Sequence, residues 1–398
     1  MVDKNGSLRI PDAEFAARIA AVKSKMRERN IDLLVLYSNA LDPGHVRYLA
    51  DVVGVNESAA MVIPLEGDPI VCSGQACQAW SKYKSRVKDV RIFPEVGEVA
   101  GTEYLVGDQF TFSSLFQELR QKYSIKKIGT VGTLIFPQII YVQLQKTFPA
   151  AEIVNAESLM FELRVRKSEN EVACTRRAAE ILDNSFANAV QKIQVGWTEL
   201  DIMAEIEGAI LRGGAEGTAV SWDPMIPTGA ERSNLCMNRN TLRKVSAGEI
   251  ICLQAGAVVE GYNSALCTPF VLGEIPGEIK RAVMAANEAM EATIHSLKPG
   301  ATSRQINASG KAVLKRTGYG EYTPYALMHN IGCLECESPW MAEDKDYPVV
   351  EGMTVCIDVF LFRLPWGSFR IENTLAVTAQ GAECLTKFNR DFVARHFA

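Results

Sequence analysis

The chain has 398 residues, enough for two domains at roughly 100–200 residues each. With 47% hydrophobic and 22% charged residues, it can bury a core large enough to need neither a disulfide nor a structural metal. A net charge of −5 and the lack of a long Lys/Arg run argue against a nucleic-acid partner.

The N-terminus, Met1 to Gly6, is polar, and no stretch approaches the ~20 apolar residues of a membrane span, so a cytoplasmic protein without membrane attachment is expected. Phe15, Ile19, Val22 and Met26 recur at helical spacing, and Leu33 to Leu36 then reads as a buried strand. Ala60 to Ile63 and Pro69 to Cys72 read as further strands, with a helix from about Ser113 to Lys122; the first ~160 residues thus form a small α/β layer. Near Ser168 the texture changes. Ser168 with Glu169 and Glu171 opens a long amphipathic helix, and Thr198 with Asp201 opens a second through Leu211. Pro276 is read at N1 of a third helix, and a fourth is expected from Ser303 to about Lys315. Ten cysteines are scattered along the chain and are read as mostly free, buried thiols.

Two hairpins place side chains in pairs. A turn centred on Val259 and Glu260 sets Gln254 opposite Ala265 and Cys252 opposite Cys267. A turn at Leu364 to Gly367 sets Asp358 opposite Glu372. Facing carboxylates repel, so they need a proton, a cation or an Arg such as Arg363 or Arg370, unless each points to solvent. Of the four histidines, His45, His295 and His396 are read as surface or capping residues. His329, beside Asn330-Ile331-Gly332 and among cysteines, is the candidate for chemistry or a hydrogen-bonded buried ring. Cys333 and Cys336 form a CxxC pair, which alone reads as core or turn cysteines.

Together these segments resemble the creatinase/aminopeptidase P/prolidase (M24, pita-bread) family. Leu163 to Ser168 resembles the lead into its C-terminal domain, and Gly248-Glu249-Ile250 through Gly261-Tyr262-Asn263-Ser264-Ala265-Leu266 its first metal-site hairpin. His329-Asn330-Ile331-Gly332 resembles its His-Gly-Ile-Gly turn, and Glu351-Gly352-Met353 with Phe369-Arg370-Ile371-Glu372-Asn373-Thr374 its closing hairpin. The resemblance implies an α+β fold: a creatinase-type N-terminal α/β domain over 1–160 and a pita-bread catalytic domain over 161–398, assembled as a homodimer.

The family's metallopeptidases hold two ions with two Asp, one His and two Glu. Here Gln254 and Ala265 stand at the two Asp positions, Asp358 at the first Glu, while His329 and Glu372 match. Two ligand positions are thus degraded. The resulting expectation is no cofactor, or at most a single divalent ion on His329, Asp358 and Glu372. By resemblance to creatinase and ectoine hydrolase, the expected activity is metal-independent hydrolysis of a C–N bond in a small guanidino, amidine or cyclic amide compound, with His329, Asp358 and Glu372 catalytic. Met237 stands where creatinase has its acid/base His, Cys267 where it has a Glu, and Glu57 near its substrate-binding Arg; with Gln254, Trp222, Tyr262 and Arg370 they make up the expected substrate-binding set. A Cys267 thiolate beside His329 is an alternative nucleophile. The other readings are an Xaa-Pro-type metallopeptidase or one-metal variant, an elimination enzyme like dimethylsulfoniopropionate lyase, and a non-catalytic binding protein.

Overall fold

The computed structural model describes residues 8–98, 110–220, 223–339 and 345–398. It divides into two units, Arg9–Arg164 and Val165–Ala398.

In the first unit, runs of buried residues form strands β1 (Leu33–Ser38), β2 (Ala59–Pro64), β3 (Ile70–Ser73) and most of β5 (Lys127–Val131), and the more exposed β4 (Asp89–Ile92) and β6 (Glu152–Asn155) join them. They make one mixed sheet in the order β4-β3-β2-β1-β5-β6. Helices α1 (Asp12–Glu28), α2 (Gly44–Ala50), α3 (Gln78–Lys84), α4 (Phe112–Lys122), α5 (Gln138–Thr147) and α6 (Glu157–Arg164) complete it. Leu33, Val35, Val62, Phe112, Phe116, Ile128 and Leu144 share its core. His45 corrects the reading of a surface residue. It is fully buried at the start of α2, with Nε2 3.2 Å from both Asp42 Oδ2 and Glu157 Oε1 and Nδ1 3.3 Å from Arg164 Nη1.

The second unit begins with α7 (Glu169–Ala189) and α8 (Glu199–Arg212), each opened by the expected side-chain cap, Ser168 on Glu171 N and Thr198 on Asp201 N. There follow α9 (Gly229–Ser233), β7 (Ile251–Val259), β8 (Tyr262–Phe270), α10 (Gly277–Ser296), α11 (Ser303–Arg316), β9 (Met328–Asn330), β10 (Thr354–Leu364), β11 (Gly367–Thr378), β12 (Gly381–Cys384) and α12 (Phe388–His396). Pro276 stands at the N-cap of α10, one residue before the expected N1, where its missing N–H also costs no helical bond. The sheet runs β7-β8-β11-β10-β9, with β12 on β11.

The first hairpin turns one residue later than expected. Glu260 (φ 49°) and Gly261 (φ 81°) both take positive φ, the requirement of a tight two-residue turn that Gly meets without strain. Gln254 therefore pairs with Cys267, and Ala265 with Gly256. Each opposed partner moves by two, so every side chain keeps its face. All ten cysteines are free. Among the described residues no helix is long and apolar enough to cross a membrane.

Candidate active site

Strand alternation splits the second sheet into two chemically different faces. Val355, Ile357, Val359 and Leu361 of β10 and Phe369, Ile371 and Leu375 of β11 pack with Val283, Ala286 and Met290 of α10 and Ile306 and Leu314 of α11. The intervening residues, Cys356, Asp358, Phe360, Arg370, Glu372 and Thr374, take the other face. Register extends that face: Cys356 pairs with both Thr374 and His329, Asp358 with Glu372, and Glu372 and Gln254 each with Cys267. The expected Asp358–Glu372 pairing is observed, but not by the expected turn: the turn pairs Leu364 with Gly367, and a bulge between Leu361 and Leu364, where Arg363 takes φ 62°, shifts the register to bring Asp358 opposite Glu372.

On this face four ligand-type groups converge: His329, Glu335, Cys356 and Glu372 each place one donor atom within 4.8 Å of the others. His329 Nδ1 lies 3.1 Å from the Asn330 carbonyl, which can only accept, so Nδ1 carries a proton. Nε2 faces Glu372 Oε1 at 3.2 Å and Glu335 Oε1 at 3.7 Å. Burial alone would lower the His329 pKa, but Cys336, Glu335 and Cys356 around it raise it well above 6.5. Burial likewise lifts Glu335, to about 7. Glu372 moves the other way. Burial opposes its charge, yet the hydrogen bond and positive charge of His329 hold its carboxyl below the usual range. Its second oxygen accepts from Cys267 Sγ at 2.9 Å.

Asp358 occupies the neighbouring place on the face. Burial raises its carboxyl, only partly offset by Arg370. Asp358 Oδ2 accepts from the Tyr325 hydroxyl at 2.6 Å and lies 3.5 Å from Arg370 Nη1. The Arg370 guanidinium lies over the Phe360 ring, 4.4 Å from its centre. Tyr325, 38% exposed, connects this pair to the surface. Two buried acceptors on the face, Asp358 Oδ1 and Gln254 Oε1, have no hydrogen-bond partner among the described residues.

The structure thus brings together His329, Asp358, Glu372, Gln254, Cys267 and Arg370. It does not support Cys267 as a ready thiolate: burial and the Glu372 charge push its thiol well above 9, and it donates to that carboxylate. Tyr262 is committed elsewhere, its hydroxyl donating to Glu171 Oε1 of α7 at 2.6 Å. Met237 is 58% exposed and lines an open cleft with Asp223, Met225 and Asn240. Glu57 belongs to the first unit, where its carboxylate accepts from the Ala76 and Cys77 backbone. Trp222 lies outside the described residues. Sequence reasoning missed Glu335, Cys356 and Tyr325 as site residues. Cys356 carried a usable signal, two positions before Asp358 on one strand and therefore on its face.

Fold and site together define a pita-bread hydrolase with an N-terminal creatinase-type domain. Residues 173–379 match the family model of metallopeptidase family M24, and residues 18–166 that of the creatinase/prolidase N-terminal domain. The chain belongs to metallopeptidase family M24. An Xaa-Pro dipeptidase of Pyrococcus horikoshii is 28% identical over 68% of this chain and 75% of its own length. One from Pyrococcus furiosus is 27% identical over 70% and 80%. The prolidase structure from Pyrococcus horikoshii superposes with a TM-score of 0.80 at 22% identity, covering 94% of this chain and 99% of that one. An X-Pro aminopeptidase from Thermotoga maritima gives 0.80 at 22%, covering 93% and 97%.

These matches overturn the expected creatinase-like, metal-independent hydrolysis of a non-peptide C–N bond. The relatives are Xaa-Pro dipeptidases, and the family is one of metallopeptidases. Gln254 and Ala265 remove two carboxylate ligands, but Glu335 and Cys356, which the fold brings to His329 and Glu372, add donors to the same place. The donors present fit one divalent ion. Two ligands of a tetrahedral ion at about 2.0–2.2 Å stand roughly 3.3–3.6 Å apart, close to the 3.2 and 3.7 Å separating His329 Nε2 from the two Glu oxygens. With Nδ1 held by a backbone carbonyl, Nε2 is the nitrogen that would ligate an ion, on giving up the proton it shares with Glu372.

Proposed function

We propose that the protein hydrolyses Xaa-Pro dipeptides with one divalent ion held by His329, Glu335 and Glu372. The observation that carries this reading is the convergence of those three side chains on one sheet face in a chain of a metallopeptidase family. The names of the relatives supply the substrate class. A divalent ion there supplies Lewis-acid polarisation of a carbonyl and acidifies water. The chain's own groups supply the rest. Glu372 stays ionised and is fixed from both sides by His329 and Cys267. Asp358 Oδ1, without a partner among the described residues and on a carboxyl raised by burial, is the atom that accepts and returns a proton. Tyr325 and Arg370 orient that carboxyl. Tyr325, Phe360 and Phe362 form an aromatic row beside it, with ring centres 5.8 and 5.2 Å apart, that suits a pyrrolidine ring.

The same reading has the enzyme as a cytoplasmic homodimer, and ten unpaired cysteines accord with a reducing compartment. The test is release of free proline from Xaa-Pro dipeptides by chelated protein, with and without single re-added divalent ions. Turnover that disappears on chelation and returns with an ion is expected. Turnover indifferent to chelator, or none with any ion, contradicts the proposal.

A further inference from the structure

We infer that Cys356 is a thiolate ligand of this ion, so that the site selects a borderline-soft cation such as zinc(II) or cobalt(II) over magnesium(II) or manganese(II). The inference rests on the one-ion reading above and adds the fourth donor and the ion's chemical class.

A buried cysteine is ordinarily a small hydrophobe. Cys356 is fully buried, but its surroundings are not those of an apolar core. It stands on β10 directly opposite His329 on β9, and its partner on β11, Thr374, is two residues from Glu372 on the same face. Its Sγ is within 4.8 Å of ligand-type atoms of His329, Glu335 and Glu372. Its Sγ hydrogen-bonds Thr374 Oγ1 at 3.5 Å, a hydroxyl also engaged with the Ala265 N and O at 2.9 and 3.0 Å. Cys356 also packs against Ala265 and Ile331. Ala265 is the position where the resemblance calls for an Asp ligand, so the thiol sits beside the place a carboxylate has vacated. Asp358 Oδ1 and Gln254 Oε1, buried on the same face and without a hydrogen-bond partner among the described residues, add further polar atoms there.

The other two nearby thiols have different duties. Cys267 donates to Glu372 and so holds that ligand in place, and Cys336 lies near the His329 ring. A set of one imidazole, two carboxylates and one thiolate is a mixed N/O/S tetrahedron of the kind that suits zinc, whereas all-oxygen sets suit magnesium and manganese. On binding, the sulfur–metal bond forms, the S–H bond breaks and its proton leaves to solvent.

The test loads metal-free full-length protein with cobalt(II) for absorption spectroscopy and with zinc(II) for X-ray absorption. Expected are one ion per chain, a near-ultraviolet thiolate-to-cobalt band, and one sulfur at about 2.3 Å from zinc. Cys356→Ser should lose the band and the sulfur and weaken zinc binding more than about 10²-fold, beyond the loss typical of an outer-shell partner. Cys267→Ser and Cys336→Ser should keep both signals. One bound ion with only nitrogen and oxygen neighbours overturns this inference and leaves the one-ion reading standing. A band lost in Cys267→Ser or Cys336→Ser and kept in Cys356→Ser overturns the assignment. No bound ion at all overturns the reading beneath it. The zinc measurement on the unaltered protein decides the matter even where Cys356→Ser does not fold.

Discussion

Asp358 and Glu372 face each other across β10 and β11, yet their carboxyls are pushed in opposite directions. Burial dominates at Asp358, while at Glu372 burial is outweighed by His329. On the proposed reading the two like groups have different tasks, one holding a proton and the other a cation. Asp358→Asn should lower kcat about 10²–10⁴-fold with the bound ion retained, and Glu372→Gln should lose the ion as well. Metal analysis of both variants checks the division. Loss of the ion from Asp358→Asn would show that Asp358 is a ligand after all.

Cys267 is assigned a positioning role through its 2.9 Å bond to Glu372 Oε2. A hydroxyl replaces that donor, and a methyl group does not. Cys267→Ser should therefore keep near-normal turnover, and Cys267→Ala should lose about 10–100-fold in ion affinity. An inactive Cys267→Ser that still binds its ion would return the thiol to the role of nucleophile.

Glu199, fully buried at the start of α8, is the anchor of the 228–241 segment. It accepts from Arg232 Nε at 2.9 and 3.0 Å, from Thr228 Oγ1 at 2.9 Å, and from Thr241 N and Oγ1 at 2.9 Å each. Glu199→Ala strands all of these donors and should destabilise the second unit by about 3–5 kcal/mol, read from denaturant unfolding. A loss under about 1 kcal/mol would mean that solvent replaces the carboxylate at little cost.

The first unit carries a pH signature of its own. Burial works against the Glu157 charge, but His45 and Thr133 outweigh it and bring the carboxyl to about 2, from an ordinary 4.5. Burial opposes protonation of His45, but Asp42 and Glu157 raise it above 6.5. The depressed Glu157 contributes stability that is present above 4.5 and is lost as pH falls toward about 2. The raised His45 contributes fully below 6.5 and loses its contribution as pH climbs through its folded value. Gly132 N and Thr133 N donate to Glu157 Oε2, so their hydrogen-exchange protection should be greatest between these limits. In Glu157→Gln the acid-side fall should vanish, and an unchanged profile would rule the cluster out as its source.

Much of the second unit was legible because its signals are local. Ser168 and Thr198 carry their capping partners three residues on, whereas the Asp358–Glu372 pairing, though expected, depends on a bulge between Leu361 and Leu364 that counting does not show. The β7–β8 register was misjudged by its turn. The positive φ of Glu260 is not visible from composition, although Gly261 beside it was the better guide. His45 escaped because Glu157, which raises its pKa, and Arg164, which bonds its Nδ1, lie more than a hundred residues further on. Glu335 and Cys356 escaped for a related reason: only the pairing of β9 with β10 and the turn after His329 bring them together. The absence of Asp at 254 and 265 was plain in the sequence, but what takes over from those residues is a tertiary fact.

The central claim is that this chain holds one divalent ion on the His329–Glu335–Glu372 cluster. Its most direct test is the number of ions bound per chain, measured by elemental analysis of purified protein after equilibrium loading and desalting. One ion per chain, lost in His329→Ala, is the predicted result. Two ions per chain, or none, would contradict it.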